Sequence, residues 1–397
     1  MRVVWFAPYP VFEILPVEKL VRNKRSGKAR WLVNLAESIS ENKSIQLHVM
    51  THSSIIKEDI EFQNNGISFH VLKYKFPLIN KGFPVYFRWD ILTGYRGFLS
   101  RAVKMIDTIK PDILHIHGTE GAYALVPQLL KAYPSVVSMQ GIISDIFRQK
   151  FDVFKLIQKK YEKECLLTGH HFGCRTEWDK SVVLRYNPGA NVFYMPEAIS
   201  PVFFNHTWAG NTGNKILFVG SVIKRKGIED LLISVALIQK ELPGIEVNVI
   251  GKVRKGYLKK LRRFARKNNI DDKIHWLGFR NPNEIAHHLE NASVFVLPTY
   301  SDNSPNSVCE AMAVGVPVIA YRTGGVPSLI SHEKDGLLVE TGNIGKLAGS
   351  LLMLLKNKDM CKVLSHNARS TARERNLPSK ASSITIKVYR EIITSKQ

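Results

Sequence analysis

Short apolar runs alternate with amphipathic stretches along most of the chain, and that alternation predicts its elements. In the first half, runs at 2–7, 46–50, 67–72, 113–116, 135–139 and 170–173 read as buried strands. Apolar residues at helical spacing mark 28–41, 97–109, 121–132 and 153–167 between them. The second half restarts the rhythm, with strands at 215–219, 245–250, 274–277, 293–297 and 316–320. Helical patterns at 227–241, 255–268, 283–290 and 305–313 separate them. Strands rich in Val, Ile and Leu, each followed by a helix, predict parallel sheets covered on both faces. The stretch 203–214, with three Asn and two Gly, breaks the rhythm and reads as a linker. The expected architecture is therefore α/β: two Rossmann-like, doubly wound domains, 1–205 and 206–379, facing a central cleft at the carboxyl ends of their strands. A last helix at about 380–394 follows Pro378 and sets Ile384, Val388 and Ile392 on one face, so that 380–397 can pack back on the first domain.

Composition narrows the class. Of 397 residues, 45% are hydrophobic and 23% charged, which excludes intrinsic disorder, a collagen-like repeat and a small disulfide scaffold. Cys165, Cys174, Cys309 and Cys361 form no C-x-x-C pair, which fits a reducing compartment and argues against a zinc ribbon. Residues 1–7 are too short for a signal peptide, and no apolar run approaches the roughly 20 residues of a membrane helix. These points predict a cytoplasmic protein.

Charge adds a partner. The chain carries 56 Lys and Arg against 34 Asp and Glu, a net charge of +22, which calls for something anionic: nucleotide, phosphate, nucleic acid or a membrane surface. Residues 252–267 hold nine cations and no acid and read as a solvated helix face. Lys19, Arg22, Lys24, Arg25, Lys28 and Arg30 surround Gly27 and predict a peripheral contact with an anionic membrane, at about 1 kcal/mol per nearby cation. Nucleic acid is not expected, since no helix-turn-helix or paired RNP aromatics are visible. A dinucleotide oxidoreductase is disfavoured because no G-x-G-x-x-G follows the first strand.

The most informative segment is Val294–Ala320. A strand ends at Pro298, a polar loop carries Asp302, and a helix is expected to open at Ser304-Pro305, with Ser as N-cap and Pro at the first helical position. Its unpaired N–H groups and dipole form an anion site. Glu310, farther along the helix, can accept two hydrogen bonds from a ribose diol. Asp302 and Glu310 with Ala311-Met312-Ala313, Gly315 and Pro317-Val318-Ile319-Ala320 resemble the signature of family 4 retaining glycosyltransferases, whose fold is GT-B. Asp302 stands where that family has a first Glu. Thr323-Gly324-Gly325-Val326-Pro327 and Asp335-Gly336-Leu337 continue the resemblance.

The resemblance implies transfer of a sugar, with retention and without a metal or other cofactor, from a nucleotide-diphosphate sugar to a hydroxyl of a glycan or lipid-linked acceptor. It implies a setting in bacterial surface polysaccharide assembly. Glu310 takes the donor ribose, Asp302 the sugar, and the backbone of Asn303, Ser304, Pro305, Asn306 and Ser307 the diphosphate. Gly220, Arg225, Lys226 and Gly227 resemble the family's basic glycine turn, with Lys226 in the place of its Lys and Ser221 in the place of its Arg. Either Arg225 substitutes or the site has one cation fewer. Gly251 retains half of an I-G-x-G turn, Phe279 and Arg280 follow the L-G-F segment beside the nucleobase, and Gly27 takes the place of a Gly-Gly pair by the donor phosphates. Gln140 replaces a His next to the reacting sugar; it can hydrogen-bond a sugar hydroxyl but cannot shuttle a proton. Hence the family's catalytic positions fall on Asp302, Gln140 and Lys226. His117, Glu120 and Arg175 are acceptor-side candidates from strand ends of the first half. No metal site is expected, because His115 and His117 lack a third ligand. Two alternatives stay open: a catalytically silent nucleotide-sugar-binding protein, and a basic nucleic-acid binder.

Overall fold

The computed structural model describes residues 1–15, 17–20, 30–53, 56–73, 89–142, 153–210 and 213–395. The chain divides into two compact units: Met1–Arg175, Asp179–Ala198 and Ala381–Gln397 form the first, Thr176–Trp178 and Ile199–Lys380 the second.

In the first unit the elements run β1 (Arg2–Phe6), α1 (Arg30–Ser40), β2 (Gln46–Ser53), β3 (Ile60–Asn64), β4 (Ile67–Lys73), α2 (Trp89–Leu92), α3 (Arg96–Ile109) and β5 (Ile113–His117). They continue with α4 (Val126–Leu129), β6 (Ser135–Ser138), α5 (Val153–Thr168), β7 (His171–Cys174), α6 (Glu177–Tyr186) and β8 (Asn191–Tyr194). The sheet order is β3-β4-β2-β1-β5-β6-β7-β8, parallel except for the antiparallel β3–β4 pair. Its strand order reverses between β1 and β5, which places a topological switch point at the carboxyl ends of these two strands. The edge strands β3 and β8 have no counterpart in the apolar pattern. Each is only partly buried: β3 alternates apolar and polar residues, and β8 offers only the short run Val192-Phe193-Tyr194.

The second unit contains α7 (Pro201–Asn205), β9 (Lys215–Val219), α8 (Ile228–Ile238), β10 (Glu246–Ile250), α9 (Lys255–Lys267), β11 (Ile274–Gly278), α10 (Pro282–Glu290) and β12 (Val294–Leu297). After these come α11 (Asn306–Val314), β13 (Val318–Arg322), β14 (Leu337–Glu340), α12 (Ile344–Lys356) and α13 (Lys358–Asn376). The six strands are all parallel in the order β11-β10-β9-β12-β13-β14, the dinucleotide-fold order with its switch point between β9 and β12. The stretch read as a linker is not one at its start. Phe203, Phe204 and Trp208 are buried in this unit's core, and Trp208 donates to the Ala292 carbonyl at 2.8 Å.

The last helix, α14 (Pro378–Thr394), places Ala381 onward in the first unit. Its buried face is Ala381, Thr385, Val388, Tyr389 and Ile392, with Ile384 half-buried. The Tyr389 hydroxyl accepts from Trp5 Nε1 at 2.9 Å and lies 2.6 Å from His115 Nδ1, so one phenol ties α14 to β1 and β5. Among the described residues no helix is long and apolar enough to cross a membrane, and all four cysteines are buried thiols.

Candidate functional site

In the second unit the switch point is built from two loops that glycines press together. The turn after β9 closes at Gly227, whose φ is +73°; a Cβ there would lie 1.7 Å from the Pro298 carbonyl oxygen at the end of β12. A Cβ on Gly251 would lie 1.7 Å from the Gly220 carbonyl, so the ends of β9 and β10 also meet backbone to backbone. On the other side, Cβ atoms on Gly324 and Gly325 would come within 2.0 and 2.1 Å of the Asp302 and Asn303 carbonyls. The loop carrying Asp302 is thereby held between two glycine-bearing turns.

Side chains complete the arrangement. Lys226 Nζ donates to Asp302 Oδ2, and both side chains are largely buried. The Arg225 guanidinium donates to the Ser301 carbonyl, while the Arg225 carbonyl accepts from Tyr300 N at 2.8 Å. Tyr300 and Tyr321 both donate to buried Asp230 at 2.7 Å, pinning the first turn of α8 under the loop. That hydrogen bond to Asp230, with burial second, pushes the Tyr300 phenol up to about 12. Asn303 is buried and accepts from Thr176 at 3.0 Å.

The helix begins later than the sequence suggests. α11 starts at Asn306, and Pro305, extended at φ −69° and ψ 110°, holds the cap position with no side-chain cap. Ser304 is therefore not the N-cap, because the extended Pro305 delays the first helical residue. The helix N-terminus keeps its dipole beside Lys226 and Asp302 without a hydroxyl competing for its N–H groups. Asn306 Oδ1 is buried with no hydrogen-bond partner, and Glu310 is half-buried one turn on. Phe279 is exposed beneath the Lys252 ammonium, 5.2 Å from the ring centroid, and Arg280 donates to the Phe279 carbonyl at 3.0 Å.

The first unit gathers its polar groups at the ends of β5, β6 and β7. Arg175 is buried and donates to Glu197, to the Gln140 carbonyl and, at 3.3 Å, to Gln140 Oε1; its backbone N–H donates to Asp179 at 3.0 Å. Glu120 accepts from Gly141 N at 2.8 Å, and burial pushes its carboxyl up to about 7 against that bond. His115 is satisfied on both nitrogens, by Tyr389 and by Ser138 Oγ at 2.6 Å each, and burial pushes it down to about 3. His117 is different. It is buried, its ring 3.7 Å from that of His115 and 4.2 Å from that of Trp5, and neither ring nitrogen has a hydrogen-bond partner. Among the described residues no three His, Cys, Asp or Glu side chains converge to hold a metal ion.

The turn of β9, the Asp302 loop and α11 all lie within one matched segment. Residues 204–371 match the family model of glycosyl transferases group 1. A GDP-mannose-dependent alpha-(1-6)-phosphatidylinositol monomannoside mannosyltransferase of Mycobacterium tuberculosis is 26% identical over 44% of this chain and 49% of its own length. The chain matches less than half the length of such curated relatives. Sucrose-phosphate synthase from Thermosynechococcus elongatus superposes with a TM-score of 0.79 over 99% of both chains at 16% identity. Anabaena HepE in complex with UDP gives 0.72 over 98% of this chain and 100% of that one, at 13% identity. The fold is GT-B.

Within the group 1 segment, the structure brings Lys226, Arg225, Asp302 and the start of α11 together. It places Gln140, Arg175, Glu120 and His117 in the first unit, and Gly27 lies outside the described residues. The sequence reading missed Asp230, Tyr300 and Tyr321. Their one signal was an acid in the first turn after the basic glycine loop. It also missed Ser138, Trp31 and Thr385 around His117, which reach it from separate elements and have no common motif.

Proposed function

We propose that the protein is a retaining, metal-independent glycosyltransferase of family 4, moving a sugar from a nucleotide-diphosphate sugar to a hydroxyl of a glycan or lipid-linked acceptor. The observation that carries this is the Lys226–Asp302 pair beside the uncapped start of α11, inside the group 1 segment. Leaving-group departure builds negative charge on the diphosphate, and fixed cations and helix N–H groups meet that charge without reorganising. Lys226 and Arg225 supply the cations and the backbone of 303–307 the N–H groups. Glu310 accepts the ribose hydroxyls. Asp302 accepts from Lys226 and, once the diphosphate draws the ammonium away, accepts from the sugar. Gln140, held by Arg175, hydrogen-bonds the sugar and takes no proton, which suits a front-face reaction. HepE was solved with UDP and the mannosyltransferase is GDP-mannose-dependent, so both bases belong in the donor screen.

Turnover is tested with UDP-, GDP- and ADP-sugars and acceptor extracts. We expect product with the donor's anomeric configuration by NMR, undiminished by EDTA, and at least tenfold slower for Glu310→Gln and Lys226→Ala. Binding without turnover of any donor supports the silent alternative, and unchanged turnover in both variants refutes the site. Bacterial surface polysaccharide assembly at the cytoplasmic face of the membrane is the setting we infer. Salt-sensitive sedimentation with phosphatidylglycerol vesicles, absent with phosphatidylcholine, tests the peripheral contact.

A further inference from the structure

The nine cations of 252–267 stand on α9 and the residues just before it, in the second unit. All nine are exposed, and among the described residues only Lys260 and Arg266 have a carboxylate partner, Glu229 and Asp271.

Helix stability does not account for this arrangement. One turn apart, Lys255–Lys259, Lys259–Arg263, Arg262–Arg266 and Arg263–Lys267 all set like charges together, and each such pair destabilises a helix. The first turn holds no acid, and Arg254 and Lys255 put positive charge at the positive end of the dipole. A solvated face of mixed acids and bases would be as soluble and more stable. The helix therefore carries a cost that an anionic partner relieves.

The form of α9 narrows the partner. Leu261 and Ala265 are buried in the core of the second unit, and half-buried Tyr257 and Phe264 pack against it, so the apolar face is already occupied. No large apolar or aromatic side chain is exposed between 252 and 267. A bilayer is thus offered no apolar anchor there, and a nucleobase no stacking platform. What the face offers is a row. Lys255, Lys259, Arg262 and Arg266 follow one ridge for about 16 Å, with a cation about every 5–6 Å. Lys252 and Arg254 carry the row back to Gly251, which meets Gly220 at the head of the β9 turn. A linear chain with acid groups on successive units can lie along it, and guanidinium groups pair with carboxylate and phosphate alike.

We propose that α9 is a docking track for an acidic polysaccharide, holding a charged glycan chain beside the β9 turn. The assignment rests on the transferase reading, which supplies a glycan, and deepens it by naming that glycan's charge and where it binds.

The test uses the full chain at about 0.15 M salt. Calorimetry measures polygalacturonate, with dextran as the neutral control and single-stranded DNA of equal charge number as the rival polyanion. Polygalacturonate is expected to bind and dextran is not. Lys259→Glu/Arg262→Glu should weaken polygalacturonate at least tenfold and leave UDP and GDP affinity within threefold. That variant should melt at an unchanged or higher temperature, since each new carboxylate stands one turn before an arginine. Lys259→Gln/Arg262→Gln, which only removes charge, should weaken the polymer by a smaller factor. The track is overturned if polygalacturonate does not bind, if both variants bind it as the native protein does, or if charge reversal lowers the melting temperature by several degrees, the mark of cations that serve the fold. It is overturned equally if DNA binds at least tenfold more tightly than polygalacturonate, or if either variant stops sedimenting with phosphatidylglycerol vesicles, which would make α9 a nucleic-acid or a membrane face. Polygalacturonate binding without UDP or GDP binding would instead refute the transferase reading, so the two failures are distinguishable.

Discussion

Gly227 carries a severe structural demand. Its φ of +73° and the Pro298 carbonyl 1.7 Å from where a Cβ would sit leave no room for any side chain. Gly227→Ala should destabilise the protein by at least about 2–3 kcal/mol and abolish nucleotide binding. Gly349, exposed within α12 with nothing near its Cβ position, should behave oppositely: Gly349→Ala is expected to stabilise by about 0.5–1 kcal/mol. Urea denaturation of both variants checks the pair. Protonation gives a second test. His48 is pushed down to about 4, first by burial and then by His70, His115 to about 3, and His117 well below its ordinary value of 6.5. The unfolded chain protonates these imidazoles below pH 6.5 and the folded chain does not, so they cost stability as pH falls through that window. Glu120, raised to about 7, acts in the opposite direction between pH 7 and its unfolded value of 4.5. The imidazoles outnumber the carboxyl, so unfolding takes up protons near pH 5 and stability falls as pH drops towards it. Urea midpoints at pH 7.0, 6.0 and 5.0 measure the slope. A flat profile would mean that these rings are not held neutral. At this level the sequence was a partial guide: it marked Lys226, Asp302 and Glu310 through spacing, but it could not distinguish satisfied His115 from unsatisfied His117, because that difference is made by Tyr389, over 270 positions away.

Among the elements, most parallel strands with both faces buried were legible as short apolar runs, unbroken in β12 and interrupted only by His115 within β5 before it ends at His117. Edge strands β3, β8 and β14 were not: β3 is half-exposed and alternates, and the apolar runs of β8 and β14 are only three residues long. The opening of α11 was misplaced by one residue because Ser-Pro reads as cap and first turn, whereas Pro305 itself stays extended. The closing helix was anticipated only as an amphipathic face; what fixes α14 in the first unit is Tyr389, whose hydroxyl serves Trp5 and His115 at once. Removing that hydroxyl strands two buried polar groups. Tyr389→Phe should therefore cost more than one ordinary hydrogen bond, about 2–4 kcal/mol. Thermal melts with tryptophan fluorescence, which reports Trp5 among others, check the loss. A shift equivalent to under about 0.5 kcal/mol would show that water replaces the phenol.

Across the whole molecule the excess of 22 positive charges is spread unevenly. All nine cations of 252–267 are exposed, and of these Lys260 and Arg266 are paired with acids, Glu229 and Asp271. Such a surface attracts any polyanion, and a diphosphate approaching the β9 turn experiences its field before it touches Lys226. A nucleoside, which carries no phosphate, does not. Nucleotide and nucleoside should consequently separate by salt. Raising ionic strength from about 0.1 to about 1 M shortens the screening length from about 10 to about 3 Å, which removes the long-range attraction and weakens the exposed part of the phosphate contacts. UDP or GDP affinity is then expected to fall about tenfold, while uridine or guanosine affinity changes less than twofold, both by calorimetry on the same preparation. Equal loss for both ligands would mean that salt perturbs the fold and not the field. A salt-insensitive nucleotide would mean that its phosphates rest on backbone amides of α11 alone, with Lys226 retained by Asp302 throughout, and would remove that lysine from the leaving-group role.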